Sequence, residues 1–134
     1  MIFIDTGAFL GRYIKKDQYH KKALSGWRRL SREIQPLYTS NFVLDETFSL
    51  LTRRAGYAFA AERARAIYSS EILTILRPEE QDERSALHLF EKYGDQEVSF
   101  TDCISFVLMQ NSEITQAFTF DKHFRYAGFE LWAP

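Results

Sequence analysis

At 134 residues the chain has the length of one ordinary domain and is long enough to bury roughly two thirds of its unfolded surface without disulfide or metal staples. A hydrophobic share of 46% with 16% aromatics excludes a disordered chain, and the single cysteine, Cys103, excludes an internal disulfide. The net charge of −1 hides an asymmetry, with 12 Lys and Arg against 6 Asp and Glu as far as Arg65 and 5 against 12 after it.

Ile2-Phe3-Ile4 is a short β-leaning run that Asp5 stops, too early for a signal peptide, so a cytoplasmic location is expected. From Thr6 the pattern turns helical, with Phe9, Leu10, Tyr13 and Ile14 at helical spacing. A second helix is predicted from about Tyr19 to Glu33, then a strand at Leu37 to Thr39 and a helix from Asn41 to Arg54. Gly56 punctuates the chain before a helix at Tyr57 to Tyr68. Ile72 to Leu76 reads as a strand, closed by Pro78, which opens a helix ending at Gly94. Ser99 or Thr101 caps a helix through Gln110, whose apolar stretch Ile104 to Met109 is far below the roughly 20 residues of a membrane span. A strand at Ala117 to Phe120, a turn of helix after Asp121 and a last strand at Phe129 to Trp132 complete the pattern. Strands separated by helices need crossover connections, so a three-layer α/β/α fold with a mostly parallel sheet is expected, formed by residues 1–134 as one domain. In such sheets ligands gather at the carboxyl ends of the strands, near the switch in strand order.

Four acidic residues stand out. Asp5 and Asp121 are expected at the ends of the first and fourth strands, where each is also suited to cap the next helix. Asp102 follows Ser99 by three residues, a capping-box spacing that also sets a carboxylate at a helix N-terminus, where the dipole helps keep it ionised. Glu46 falls on the helical wheel between Phe42, Val43 and Leu50, whereas Asp45 falls with Asn41, Ser49 and Thr52. A carboxylate facing an apolar surround needs a cation or a hydrogen-bond partner, and Arg53, two turns on, is one candidate. A set of oxygen ligands without thiolate or imidazole clusters suits Mg²⁺ or Mn²⁺ rather than zinc. Thr6 and Thr119 are placed to orient a ligand or water, or to serve as ordinary caps and β-formers. His20 and His88 read as surface or packing residues, and His123 lies close enough to Asp121 to tune it. The basic run Arg12, Lys15, Lys16, Lys21, Lys22, Arg28, Arg29 and Arg32 permits phosphate contacts if it shares one face, and is otherwise a solvated helix surface.

The segments Ile2-Phe3-Ile4-Asp5-Thr6, Asn41 to Glu46, Ser99-Phe100-Thr101-Asp102 and Phe118 to Phe124 resemble, in order and spacing, the four acidic motifs of PIN domains. The likeness spans almost the whole chain and includes an Asp-x-x-Phe ending followed by Gly128. It is similar to the ribonuclease toxins (VapC type) of toxin-antitoxin systems. That resemblance implies an acidic pocket in which Asp5, Glu46, Asp102 and Asp121 hold Mg²⁺ or Mn²⁺, directly or through water, with Thr119 as an auxiliary catalytic residue. It further implies an endoribonuclease acting on RNA, a homodimer, and a toxin restrained by a cognate antitoxin. Two alternatives stand beside it. One is a non-catalytic RNA-binding or assembly module with the same fold. The other is a phosphohydrolase resembling the haloacid dehalogenase group, which wants an Asp two residues after the first, where this chain has Gly7.

Overall fold

Five short strands, β1 (Ile2–Ile4), β2 (Leu37–Ser40), β3 (Leu73–Leu76), β4 (Gln116–Phe118) and β5 (Glu130–Leu131), pair in the order β3-β2-β1-β4-β5, every pair parallel. The computed structural model describes residues 1–132. The chain fills one side of β1 with β2 and β3 and then returns to its other side with β4, so the order switches at the carboxyl ends of β1 and β4. Between the strands run α1 (Thr6–Tyr13), α2 (His20–Arg32), α3 (Asn41–Ala55), α4 (Tyr57–Tyr68), α5 (Glu80–Lys92), α6 (Phe100–Asn111) and α7 (His123–Tyr126). This is the expected three-layer arrangement.

β1 is buried along its whole length, as the central strand of a sheet covered on both faces must be. α6 is buried from Asp102 to Met109, all round rather than along one stripe, which makes it the helix the core is built on. Phe106 shows how: its ring meets Phe124 and Tyr93 edge-on and Phe129 in a stack. No helix among the described residues is long and apolar enough to cross a membrane.

Two glycines allow close approach. A Cβ at Gly26 would sit 2.5 Å from the Phe118 ring, so α2 lies directly against β4 only because that position has no side chain. Gly56, at φ +89°, turns the chain between α3 and α4 in a conformation that L side chains rarely adopt.

Most boundaries fall within a residue or two of expectation, and three of the departures have a local cause. β4 ends at Phe118 rather than Phe120, because β1 becomes α1 after Ile4 and leaves Thr119 and Phe120 without a partner strand. The last strand is Glu130–Leu131, shorter than Phe129 to Trp132. α5 begins with Glu79 as its N-cap rather than at Pro78; the Glu79 N–H donates to Asp82 Oδ2 at 2.9 Å, an acidic start that fixes the first turn. A 3₁₀ turn at Gly94–Gln96 connects α5 to the approach of α6.

Candidate active site

A cleft of about 860 Å³ opens at the switch point, lined by all four singled-out carboxylates, Asp5, Glu46, Asp102 and Asp121. Each arrives on a different element. Asp5 follows β1 directly, and its N–H donates to the Phe118 carbonyl at 3.1 Å, which continues the β1–β4 ladder one residue further. Asp5 occupies the N-cap position of α1, yet its carboxylate makes no capping hydrogen bond. It instead accepts from Thr119 Oγ1 at 2.7 Å. The same hydroxyl oxygen accepts the Asp121 N–H at 3.0 Å, so one threonine seats both acidic positions. Asp121 Oδ1 accepts the His123 N–H at 2.9 Å, which starts α7. Asp121 therefore steadies the turn into α7 and lines the cleft at once.

α3 brings Glu46 in from β2. The Ser40 hydroxyl caps it by accepting the Val43 N–H at 3.1 Å, and Val43, Leu44, Thr47 and Leu51 are its buried residues. Glu46 is half-buried beside them while Asp45 is exposed, as the helical wheel required. Arg53 is exposed and no ion pair or hydrogen bond joins it to Glu46 among the described residues, so the internal pairing is not formed. The reason is direction: Glu46 faces the cleft and Arg53 faces solvent.

Of the two cap candidates for α6, Ser99 is the one that acts, accepting the Asp102 N–H at 3.1 Å. With the cap supplied by the hydroxyl, the Asp102 carboxylate is left for the cleft. It is 7% exposed and Asp5 is 5% exposed, with no Lys or Arg paired to either among the described residues. Two buried carboxylates without a paired Lys or Arg bind protons more tightly than free ones. Burial pushes Asp5 up to about 7, opposed by the hydrogen bonds from Thr119 and the Thr6 N–H and assisted by the charges of Glu46 and Asp121. Burial pushes Asp102 up to about 9, reinforced by the charges of Asp5, Asp121 and Glu46 and by a proton shared with Asp121. The Cys103 thiol, buried beside Asp102, rises to about 11 through its own burial and the Asp102 charge.

His123 was the residue the sequence undervalued. Asp102, Asp121 and His123 each offer one ligand atom, all within 4.8 Å of one another. His123 Nδ1 lies 2.9 Å from Asp121 Oδ1, an ion-pair distance, but this buried nitrogen makes no hydrogen bond among the described residues. Thr6 Oγ1 is likewise buried without one. His20, by contrast, packs as expected, with Nδ1 2.7 Å from the Gly11 carbonyl. Asp17 also lines the cleft, but its oxygens are engaged by the Tyr19 N–H at 3.0 Å and Arg54 Nη1 at 3.1 Å. Nothing in the sequence pattern ties Asp17 or Tyr19 to this place; only the folded α1–α2 loop does.

The family model of the PIN domain matches residues 2–130. The chain belongs to the PIN-domain family. Among PIN domains it is similar to the 23S rRNA-specific endonuclease VapC20 of Mycobacterium tuberculosis, 34% identical over 96% of this chain and 95% of that one. It is also similar to a VapC ribonuclease of Archaeoglobus fulgidus, 28% identical over 90% of this chain and 77% of that one. The crystal structure of Mycobacterium tuberculosis VapC20, described as a sarcin-ricin loop cleaving toxin, superposes with a TM-score of 0.91 at 31% identity over the full length of both chains. This membership of the PIN domain family sets aside the dehalogenase-like alternative.

Proposed function

We propose that this PIN domain, residues 1–134, is a divalent-metal-dependent endoribonuclease that hydrolyses RNA phosphodiester bonds, and the toxin of a toxin-antitoxin pair. The observation that carries the reading is the convergence of Asp5, Glu46, Asp102 and Asp121 on one cleft, two of them buried and none paired with a Lys or Arg among the described residues. Oxygen donors in this number fit Mg²⁺ or Mn²⁺, and the raised proton affinity of Asp5 and Asp102 marks a site short of positive charge. The four carboxylates are the proposed ligands, with His123 Nδ1 in reach as a further donor. When bound, the ion supplies positive charge against the phosphodiester and polarises water for attack.

The chain's own residues do the rest. Thr119 fixes the orientation of Asp5 and the backbone of Asp121, and so links the two acidic positions. Lys122 lines the cleft, and Lys15 and Lys16 are exposed on the loop that continues into its wall as Asp17, Gln18 and Tyr19. Lys21 and Lys22 are exposed at the start of α2. Arg12 and Arg29 are differently employed, over the Trp27 and Trp132 rings. The RNA path therefore runs over the lysines. Their joint replacement by Ala should weaken RNA binding and flatten its dependence on salt, since every phosphate that is no longer neutralised takes roughly 0.7 off the slope of log affinity against log salt for a single strand.

The relatives direct the choice of substrate toward ribosomal RNA, and a homodimer held in check by a cognate antitoxin completes the proposal. The test is cleavage of 23S rRNA and of a sarcin-ricin-loop hairpin by the purified protein with Mn²⁺ or Mg²⁺ and with chelator. Discrete cuts with metal and none in chelator are expected. Intact RNA under every condition would overturn the nuclease reading and leave the non-catalytic module.

A further inference from the structure

The cleft has an aromatic wall that the metal chemistry does not use. Tyr19 and Phe120 stack face to face, their ring centres 4.4 Å apart and planes 5° from parallel. The two rings have different supports. Phe120 sits between Thr119 and Asp121, packs against the main core, and lies where a Cβ on Gly7 would be in van der Waals contact with its edge at 3.5 Å. Tyr19 is in neither apolar cluster among the described residues, and its hydroxyl makes no hydrogen bond there. Its backbone is nonetheless fixed at both ends: the N–H donates to Asp17, itself held by Arg54, and the carbonyl accepts the Ala23 N–H at 2.8 Å.

A ring clamped by its backbone, supported on one face and bonded by nothing at its tip offers its other face to a flat ligand. The ring under it is flanked by two members of the acidic network. We infer that Tyr19 is a nucleobase platform, supported by Phe120, on which a base next to the scissile phosphate stacks. The inference rests on the nuclease reading for its substrate, RNA with an unpaired base. Every nucleobase has a π-face, so the platform positions a nucleotide without specifying which one, and Lys15 and Lys16 on the same loop meet the adjoining phosphates.

The experiment is a cycle between ring and base. The probe is the sarcin-ricin-loop hairpin, intact or with a single abasic site moved through the loop, tested with wild type, Tyr19→Leu and Tyr19→Trp. Binding is read by fluorescence anisotropy in chelator and cleavage with Mn²⁺. Stacking of one base predicts about a tenfold loss of affinity at one abasic position for wild type, no further loss at that position for Tyr19→Leu, and recovery in Tyr19→Trp. Melting temperatures identify a variant that has merely lost its fold, and Tyr19→Trp keeps the question open to an answer. Equal abasic losses in wild type and Tyr19→Leu at every position would overturn the platform. Coupled binding without any cleavage would keep the platform and overturn the nuclease; cleavage without coupling would do the reverse.

Discussion

The chain carries two groups of four acidic residues, and they behave in opposite ways. At the start of α5, Glu79, Glu80, Asp82 and Glu83 crowd five positions of sequence. Asp82 accepts the Glu79 N–H and the Asn111 side chain, each at 2.9 Å, and Glu80 meets Arg84 at 2.7 Å, in the open. In the cleft, Asp5, Glu46, Asp102 and Asp121 are spread over 117 residues of chain, and burial and mutual repulsion raise the proton affinity of Asp5 and Asp102. Charge density along a sequence therefore says little about a site. Carboxylates gather into one only when the fold converges them and withholds the cations that would neutralise them.

The sharpest way to break this contrast is activity. Asp5→Asn and Asp102→Asn should reduce RNA cleavage to the assay background, while Glu80→Gln and Asp82→Asn leave it at the wild-type rate. Thr119→Val removes the hydroxyl that seats Asp5 and Asp121, and should lower metal affinity or cleavage about 10- to 100-fold, the range for a residue that orients ligands. Equal effects from the two acidic groups would end the distinction.

Stability in metal comes next. A ligand bound only by the folded state at a hundred times its dissociation constant adds about 2.7 kcal/mol, so Mn²⁺ should raise the wild-type melting temperature. Asp5→Asn should respond much less and Glu80→Gln as wild type does, in melts at constant ionic strength.

Acidity sharpens the comparison further. In chelator, Asp5 and Asp102 bind protons more tightly folded than unfolded, rising from 3.8 to about 7 and about 9. Their stabilising contribution is full below pH 3.8 and falls as pH rises, Asp5's loss ending near pH 7 and Asp102's near pH 9. The decline is at most about 1.4 kcal/mol per pH unit for each group. Asp102→Asn should remove the fall between pH 7 and 9, whereas Glu80→Gln should leave the urea-denaturation curves unchanged. Metal binding must displace those protons, so Mn²⁺ affinity should rise over the same range.

The smallest effects separate capping from ligation. Asp82→Ala and Asp121→Ala each remove an acceptor of a backbone N–H, worth about 1 kcal/mol at a helix start. In Asp121→Ala the relief of repulsion in metal-free protein offsets part of that cost, so it should destabilise less than Asp82→Ala in thermal melts with chelator.

These distinctions were partly legible in the residues themselves. Helical periodicity was enough to turn Glu46 inward and Asp45 outward, and the apolar run before Asp5 was enough to mark β1. Periodicity could not give Glu46 its company, because its surroundings come from α6 and β4, far along the chain; Arg53 was the nearest cation in sequence and lies in solvent. Thr119 could be named as an orienting residue, but its double role needs the β1–β4 pairing that sets it beside Asp5. His123 could be set beside Asp121, but its nearness to Asp102 needs α6 to pack against the turn after β4. Tyr19 escaped altogether, because its neighbours in sequence are ordinary turn and helix residues and its significance arises where the α1–α2 loop meets Phe120. The end of β4 was misplaced because Thr119 and Phe120 are good strand formers in a place where the neighbouring strand has already stopped.

The seating of Asp5 by Thr119 spans 114 residues of chain. Until β4 has been made and has slid in beside β1, the first aspartate has nothing to orient it and the fourth does not exist. A chain leaving the ribosome thus carries a dismantled blade: Asp5, Glu46 and Asp102 are already synthesised, yet the edge is assembled only when β4 and the turn after it emerge. Truncated products ending before Gln116 have three of the four carboxylates and no cutting centre.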